Sequence, residues 1–180
     1  GVLRGLSGNG SRGQIVDAAR RVFARHGVDK TAVTDIVREA CIGRATFYKS
    51  FRCKEEILTA VIESEVREML TDVRAAVDRA TGTRAKLRAA ISTHMSLIRE
   101  HVIGYRITLD SLAEMIPLTV WRGQLREMAE EFTTLYADIL EEGVRSGEIG
   151  ARDVRKTAWL LNTVAAPAWL RIGPVGFPAT

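Results

Sequence analysis

One hundred and eighty residues make one or two small domains, and an apolar content of 46% is enough to fill a core. No stretch approaches the ~20 uninterrupted apolar residues of a membrane span, and four prolines with few alternating β-branched runs argue against a sheet. The net charge of +4 is unevenly spread: residues 12–54 carry ten Lys/Arg against four acids, whereas residues 55–180 carry fifteen against eighteen, so a polyanionic partner is expected at the N-terminal end.

Sustained three-four periodicity makes the chain all-α. Residues 1–11 read as a mobile, disordered tail. They lack an apolar core long enough for a signal peptide, and the absent initiator Met is compatible with a trimmed or tagged chain. A first helix is expected from Gln14 to His26, burying Ile15, Ala18, Ala19, Val22 and Phe23 and stopping at Gly27. Two short helices follow, at about 33–40 and 44–51, within T-A-V-T-D-I-V-R-E-A-C-I-G-R-A-T-F-Y-K-S-F-R-C-K at 31–54. Thr34 stands where an N-cap belongs, and Ile36, Val37 and Ala40 share one face. Cys41-Ile42-Gly43 interrupts the pattern, with Gly43 as N-cap of the next helix.

In that next helix Phe47 and Phe51, four residues apart, turn to the core. Arg44, Thr46, Tyr48 and Lys49 are left outside. Arg44 is suited to a bidentate fork on guanine O6/N7, and Lys49 to a base or a phosphate. Thr46 offers a hydroxyl and a methyl, while Tyr48 and Lys54 suit phosphates, which set register without reading sequence. A second helix held clear of the body has the shape that enters a DNA major groove. The competing reading is a helical hairpin whose Arg/Lys/Tyr face is only solvated; the local excess of positive charge favours DNA.

A long fourth helix is expected from Lys54 to about Ala80, then helices at about 84–101 and 104–115, the latter stopping before Pro117. Residues 118–146 read as one helix or two, with Gly123 a break point. Asp153 opens or caps a last helix to about Leu170, with Pro167 kinking or ending it. That last helix is apolar almost all round. It is either a central core helix or one that meets the body on one face and a second subunit on the other.

No metal or catalytic constellation emerges, so neither a cofactor nor an enzymatic role is expected. His26, His94 and His101 show no ligand spacing with one another or with Cys41 and Cys53. The two cysteines flank the second short helix, too far apart to pair. They read as reduced thiols of a cytoplasmic protein, with a redox sensor as the alternative, because Cys53 at a helix N-terminus is placed for a lowered pKa.

The stretches I-V-D-A-A-R-R-V-F-A-R-H-G at 15–27, T-D-I-V-R-E-A at 34–40, R-A-T-F-Y-K-S-F at 44–51 and K-E-E-I-L at 54–58 together resemble the DNA-binding domain of the tetracycline-repressor (TetR) family of transcriptional regulators. They cover about a quarter of the chain. The resemblance implies an N-terminal three-helix helix-turn-helix domain over 12–54, the motif itself at about 33–51, and a C-terminal helical ligand-binding and dimerisation domain over 55–180. It carries recognition-helix roles to Arg44, Ala45, Thr46, Tyr48 and Lys49, a phosphate-binding role to Lys54 and the second-helix cap to Thr34. Three departures stand out: Cys41 replaces the usual turn glycine, Gly43 the usual Ser, and Cys53 the usual Ser or Asn cap. A left-handed backbone at Cys41 would cost roughly 1 kcal/mol.

By the same resemblance the protein is expected to be a ligand-responsive repressor. It would bind an inverted-repeat operator in double-stranded DNA as a homodimer, and a largely apolar small molecule would release it. A pocket is expected among Met69, His94, Leu97, Ile98, His101, Tyr105, Leu109, Leu112, Met115 and Trp121, although such residues at helical spacing are more often plain core. The dimer interface is expected at Trp159, Leu160, Thr163, Val164 and Trp169. The alternative is a helical DNA-binding regulator without a small-molecule ligand: architectural, protein-controlled or redox-responsive.

Overall fold

The computed structural model describes residues 9–101, 118–150 and 153–165. Among them are seven α-helices and no strand: α1 (Asn9–His26), α2 (Val33–Glu39), α3 (Arg44–Ser50), α4 (Lys54–Asp78), α5 (Thr83–His101), α6 (Leu118–Arg145) and α7 (Val154–Ala165). They form two compact units, one holding the described residues up to Glu65 and the other those from Val66 to His101 and beyond Pro117. The expected helix at 104–115, Pro167 and the tail lie outside the described residues.

In the first unit α1 packs against α2 and α3. Its five expected core residues, Ile15, Ala18, Ala19, Val22 and Phe23, are all buried, as are Ile36, Phe47, Phe51, Ile57, Leu58 and Val61 of the same unit. Helix α1 starts at Asn9, five residues before the expected Gln14, so residues 9–11 of the expected tail are helical. Two side chains of its opening turns are anchored elsewhere, which offsets the weak helix propensity of Gly10 and Gly13. Arg12 Nη1 donates to the Ser50 carbonyl at 2.7 Å and Gln14 Nε2 to the Ala40 carbonyl at 2.9 Å. The helix ends as expected: Gly27, at φ +80°, donates its N–H to the Phe23 carbonyl. Farther along α1, Arg20 reaches α4, with Nε 2.9 Å from Glu65 Oε1 and Nη2 donating to Ser64 Oγ at 3.0 Å.

Helix α2 corrects the expected cap. The N-cap is Ala32, in extended backbone, and Thr34 lies inside the first turn. Ala32 has no polar side chain, so the helix is held from within: Asp35 Oδ2 accepts the Ala32 N–H at 2.9 Å. This is half of a capping box, with the acid also placed favourably at the positive end of the helix. The other end is a Schellman turn. The Ile42 N–H bonds to the Val37 carbonyl and the Cys41 N–H to the Arg38 carbonyl, which forces Cys41 to φ +52°. The expected strain at this non-glycine position is therefore present.

In the second unit α5, α6 and α7 pack on one another. The core gathers Met69, Leu70 and Val73 of α4, Ala90 of α5, Phe132, Leu135, Tyr136, Ile139 and Leu140 of α6, and Ala158 and Ala165 of α7. Of the two readings for 118–146, the single helix is observed: α6 passes through Gly123 without interruption. Gly143 is needed for close approach, because a Cβ there would lie 2.5 Å from two Thr83 side-chain atoms. Beyond α6, Glu148 Oε2 accepts the N–H of Thr83 at 2.8 Å and so caps α5 from 65 residues away. Asp153 opens α7 as expected, accepting the Lys156 N–H at 3.0 Å.

Candidate nucleic-acid interface

Seven residues of α3 present two distinct faces. Phe47 and the following Phe51 are buried, with ring centroids 5.9 Å apart, and fix the helix to α1 and α2. Arg44, Ala45, Tyr48 and Lys49 are exposed and Thr46 is half-buried. Tyr48 is 55% exposed, its ring edge-on to Phe47 at 5.3 Å, so the hydroxyl-bearing end is held away from the core. Gly43 caps α3 as expected, in extended backbone and without a side-chain bond. The four-residue connection from α2, Ala40 to Gly43, thus sets a short rod with two cations, a hydroxyl and a phenol on its outer side.

The charges around the rod are sorted by pairing. Glu39 is gripped by two arginines of α1, Arg21 Nε at 2.8 Å and Arg25 Nη2. Those hydrogen bonds, Arg21 before Arg25, hold the Glu39 carboxyl below the usual carboxylate range, so it stays ionised and locally compensated. Asp35 is occupied at the start of α2 and lies 3.7 Å from Arg38. Arg44 and Lys49 form no ion pair among the described residues. An anion approaching α3 therefore meets uncompensated cations.

Lys54 has a second tie that its sequence position did not reveal. Its Nζ donates to the Val28 carbonyl at 3.0 Å, joining the start of α4 to the turn after α1. Two further donors of the ammonium remain for a phosphate. Cys41 and Cys53 are free, exposed thiols on either side of α3. The lowered pKa that the redox-sensor alternative required of Cys53 is contradicted. Desolvation of the sulfur pushes its pKa up, as does neighbouring Glu55, against the opposing Glu56 backbone N–H. Arg12 and Gln14, which bond the last carbonyls of both motif helices, were not singled out from sequence. Their partners are 38 and 26 residues away, beyond any local pattern.

The residues expected around an effector divide. Met69 is part of the second unit's core, and Leu97 packs against it. His94 is buried, stacked on Phe132 at 4.0 Å between ring centroids, with Nδ1 3.2 Å from the Tyr136 hydroxyl. Burial pushes the His94 pKa down to about 4 and raises that of Tyr136, so this pair is neutral at pH 7. The side chains of Ile98, His101 and Trp121, and all of Tyr105, Leu109, Leu112 and Met115, lie outside the described residues. On α7, Ala158, Asn162 and Ala165 face inward, and Asn162 Nδ2 donates to the Ala129 carbonyl at 2.9 Å. Leu160 and Val164 are 53% and 64% exposed, and Trp159 and Thr163 are half-buried. Trp169 lies outside the described residues.

Residues 15–61 match the family described as bacterial regulatory proteins, tetR family, and residues 80–169 match the tetracyclin repressor-like C-terminal domain. The chain belongs to the TetR family. Among similar proteins of this family's kind, the fatty acid metabolism regulator protein of Bacillus subtilis is 26% identical over 164 residues, covering 83% of each chain. The transcriptional repressor KstR2 of Rhodococcus jostii is 27% identical over 173 residues, covering 92% of this chain and 82% of its own. A transcriptional regulator from Cytophaga hutchinsonii shares the fold with a TM-score of 0.75 at 20% identity, over 87% of this chain and 78% of its own. FadR from B. subtilis, solved in complex with stearoyl-CoA, aligns with a TM-score of 0.66 at 25% identity, over 84% and 81%. As a TetR-family member the protein is a DNA-binding transcriptional regulator of the helix-turn-helix kind, and α2 and α3 lie within the matched residues 15–61.

Proposed function

We propose that this TetR-family protein is a repressor that binds an inverted-repeat operator as a homodimer and leaves it when a largely apolar small molecule occupies the C-terminal unit. The observation that carries the DNA-reading half is the outer face of α3, where Arg44 and Lys49 make no ion pair among the described residues while Phe47 anchors the opposite side. In this reading Arg44, Ala45, Thr46 and Lys49 meet base edges, and Thr34, Tyr48 and Lys54 meet phosphates. Support for the dimer comes from α7, whose inward face is filled by Ala158 and Ala165 while Leu160 and Val164 stay exposed on the other side. A pair of exposed aliphatic residues on a helix already packed on its inner face is what an isologous two-fold contact buries. Two α3 copies related by that axis then address successive major grooves, about 34–36 Å apart.

The effector class is drawn from relatives. One is named for fatty acid metabolism, and another was solved with stearoyl-CoA. A long acyl thioester, or a molecule of similar apolar length, is the first class to test. Release requires only that the ligand bind better to the conformation that cannot hold DNA. Selection of bound sequences from a random duplex pool, followed by footprinting and addition of acyl-CoAs of graded length, tests the whole reading. A protected inverted repeat that is freed by one chain length supports it, and binding without sequence preference removes it. A regulator without a small-molecule ligand is favoured by the packing of His94 against Phe132 and Tyr136, which occupies one expected ligand contact with core neighbours. Absence of any thermal shift across the acyl-CoA series, with operator binding intact, would select that reading.

A further inference from the structure

Helix α3 has only seven residues, too few to be stable alone, so its direction is set entirely by what holds it. Its start has no side-chain cap, and its inner face rests on Phe47 and the adjoining Phe51. The one side-chain hydrogen bond it receives from another helix, among the described residues, comes from Arg12, whose Nη1 donates to the Ser50 carbonyl at 2.7 Å. The same guanidinium lies over the Phe51 ring, 4.2 Å from its centroid. The carbonyl belongs to the last turn of α3, where no backbone N–H is available and the helix dipole is negative. Two residues on, Gln14 Nε2 treats α2 in the same way, bonding the carbonyl of its C-cap residue Ala40 at 2.9 Å. The opening of α1 thus holds the C-terminal ends of both helices of the motif.

We propose that Arg12, with Gln14 beside it, is a positioning residue of the DNA reader: it fixes the pitch of α3 from the end opposite Arg44 and so governs base discrimination without touching a base. This rests on α3 being the element that reads DNA. The lever is short but sufficient. At 1.5 Å per residue α3 is roughly 10 Å long, so a tilt of about 10° at Ser50 moves Arg44 by about 2 Å. Bidentate base contacts tolerate only about 0.5 Å. The planar guanidinium can bond the carbonyl and stack on Phe51 at once, which a lysine ammonium cannot reproduce.

The test compares binding to the selected operator with binding to an unrelated duplex, across salt, for the full chain and for Arg12→Ala, Arg12→Lys and Arg44→Ala. The expected result is a specificity ratio about tenfold lower in both Arg12 variants, with the salt slope retained and lysine failing to rescue. A phosphate contact would give a different pattern: both affinities falling together, a salt slope smaller by about one, and rescue by lysine; that outcome overturns the proposal. An unchanged ratio overturns it as well. If Arg12→Ala does not fold, Arg12→Lys decides, together with Phe51→Leu, which removes the ring under the guanidinium. Loss of specificity in Phe51→Leu should not add to that in Arg12→Lys, and full additivity counts against the pair acting as one device. If Arg44→Ala also keeps every base preference, the assignment of α3 as reader fails and the role of Arg12 falls with it; an unchanged ratio in the Arg12 variants while Arg44→Ala loses a base preference overturns the role of Arg12 alone.

Discussion

Cys41 is the residue at which local geometry and side-chain type disagree most. The Schellman turn demands a left-handed residue and the chain supplies one with a Cβ, at φ +52°. Cys41→Gly should therefore raise stability by about 0.5–1 kcal/mol, the cost of the left-handed conformation less the unfolded-state entropy that glycine adds, read as a shift in denaturant midpoint. Arg44→Ala should weaken operator binding by roughly 1–3 kcal/mol and relax preference at one base pair, measured by competition with single-base operator variants. At this scale the sequence was legible where the requirement was local. The glycine caps at 27 and 43 and the inward Phe47 followed from spacing, while the strain at Cys41 followed from the family resemblance, which places a glycine there. Thr34 was misplaced because a hydroxyl near a helix start resembles a cap, whereas the acid at Asp35 serves the same turn from inside. The second ties of Lys54 and Arg12 were illegible because their carbonyl partners are set by folding, not by neighbours in sequence.

Elements were legible in their interiors and less so at their ends. The buried stripe of α1 followed from three-four periodicity, but its first turns did not, since glycines and polar residues mask a helix that is held by distant carbonyls. Gly123 looked like a break and is none. The helix glycines themselves separate two physical cases. A Cβ on Gly13 meets nothing within 4 Å, whereas one on Gly143 meets Thr83 at 2.5 Å and Ile149 at 3.0 Å. Gly13→Ala should stabilise by about 0.5–1 kcal/mol through helix propensity. Gly143→Ala should destabilise by about 1–3 kcal/mol, because α5 and α6 cannot approach as closely. Thermal unfolding of the two variants should thus move in opposite directions, and a stabilising Gly143→Ala would show that this contact yields easily.

For the whole molecule, the buried His94 makes stability depend on pH in a definite sense. Its folded pKa is about 4 against an unfolded value of 6.5, so between these values the unfolded chain binds a proton that the folded one refuses. The associated stability is fully present above pH 6.5 and is lost as the pH falls towards 4. Between pH 7 and 5 the loss is on the order of 2 kcal/mol, and His94→Gln should flatten that part of the profile. Assembly is tested separately. Leu160→Asp combined with Val164→Asp should convert a sedimenting dimer to monomers and, with it, abolish the preference for a repeat over a half-site. A double variant that remains dimeric would place the interface elsewhere.

The chain's two cysteines are both exposed and stand immediately before and after the α3 region. No thiol needs to be engineered to watch this surface. Alkylation by a maleimide, followed by mass spectrometry, gives a rate for each sulfur separately, and a duplex seated on α3 should slow the labelling of both. An effector that empties the operator restores the original labelling rates, so the native thiols report occupancy in solution without a reporter gene or a fluorescent duplex.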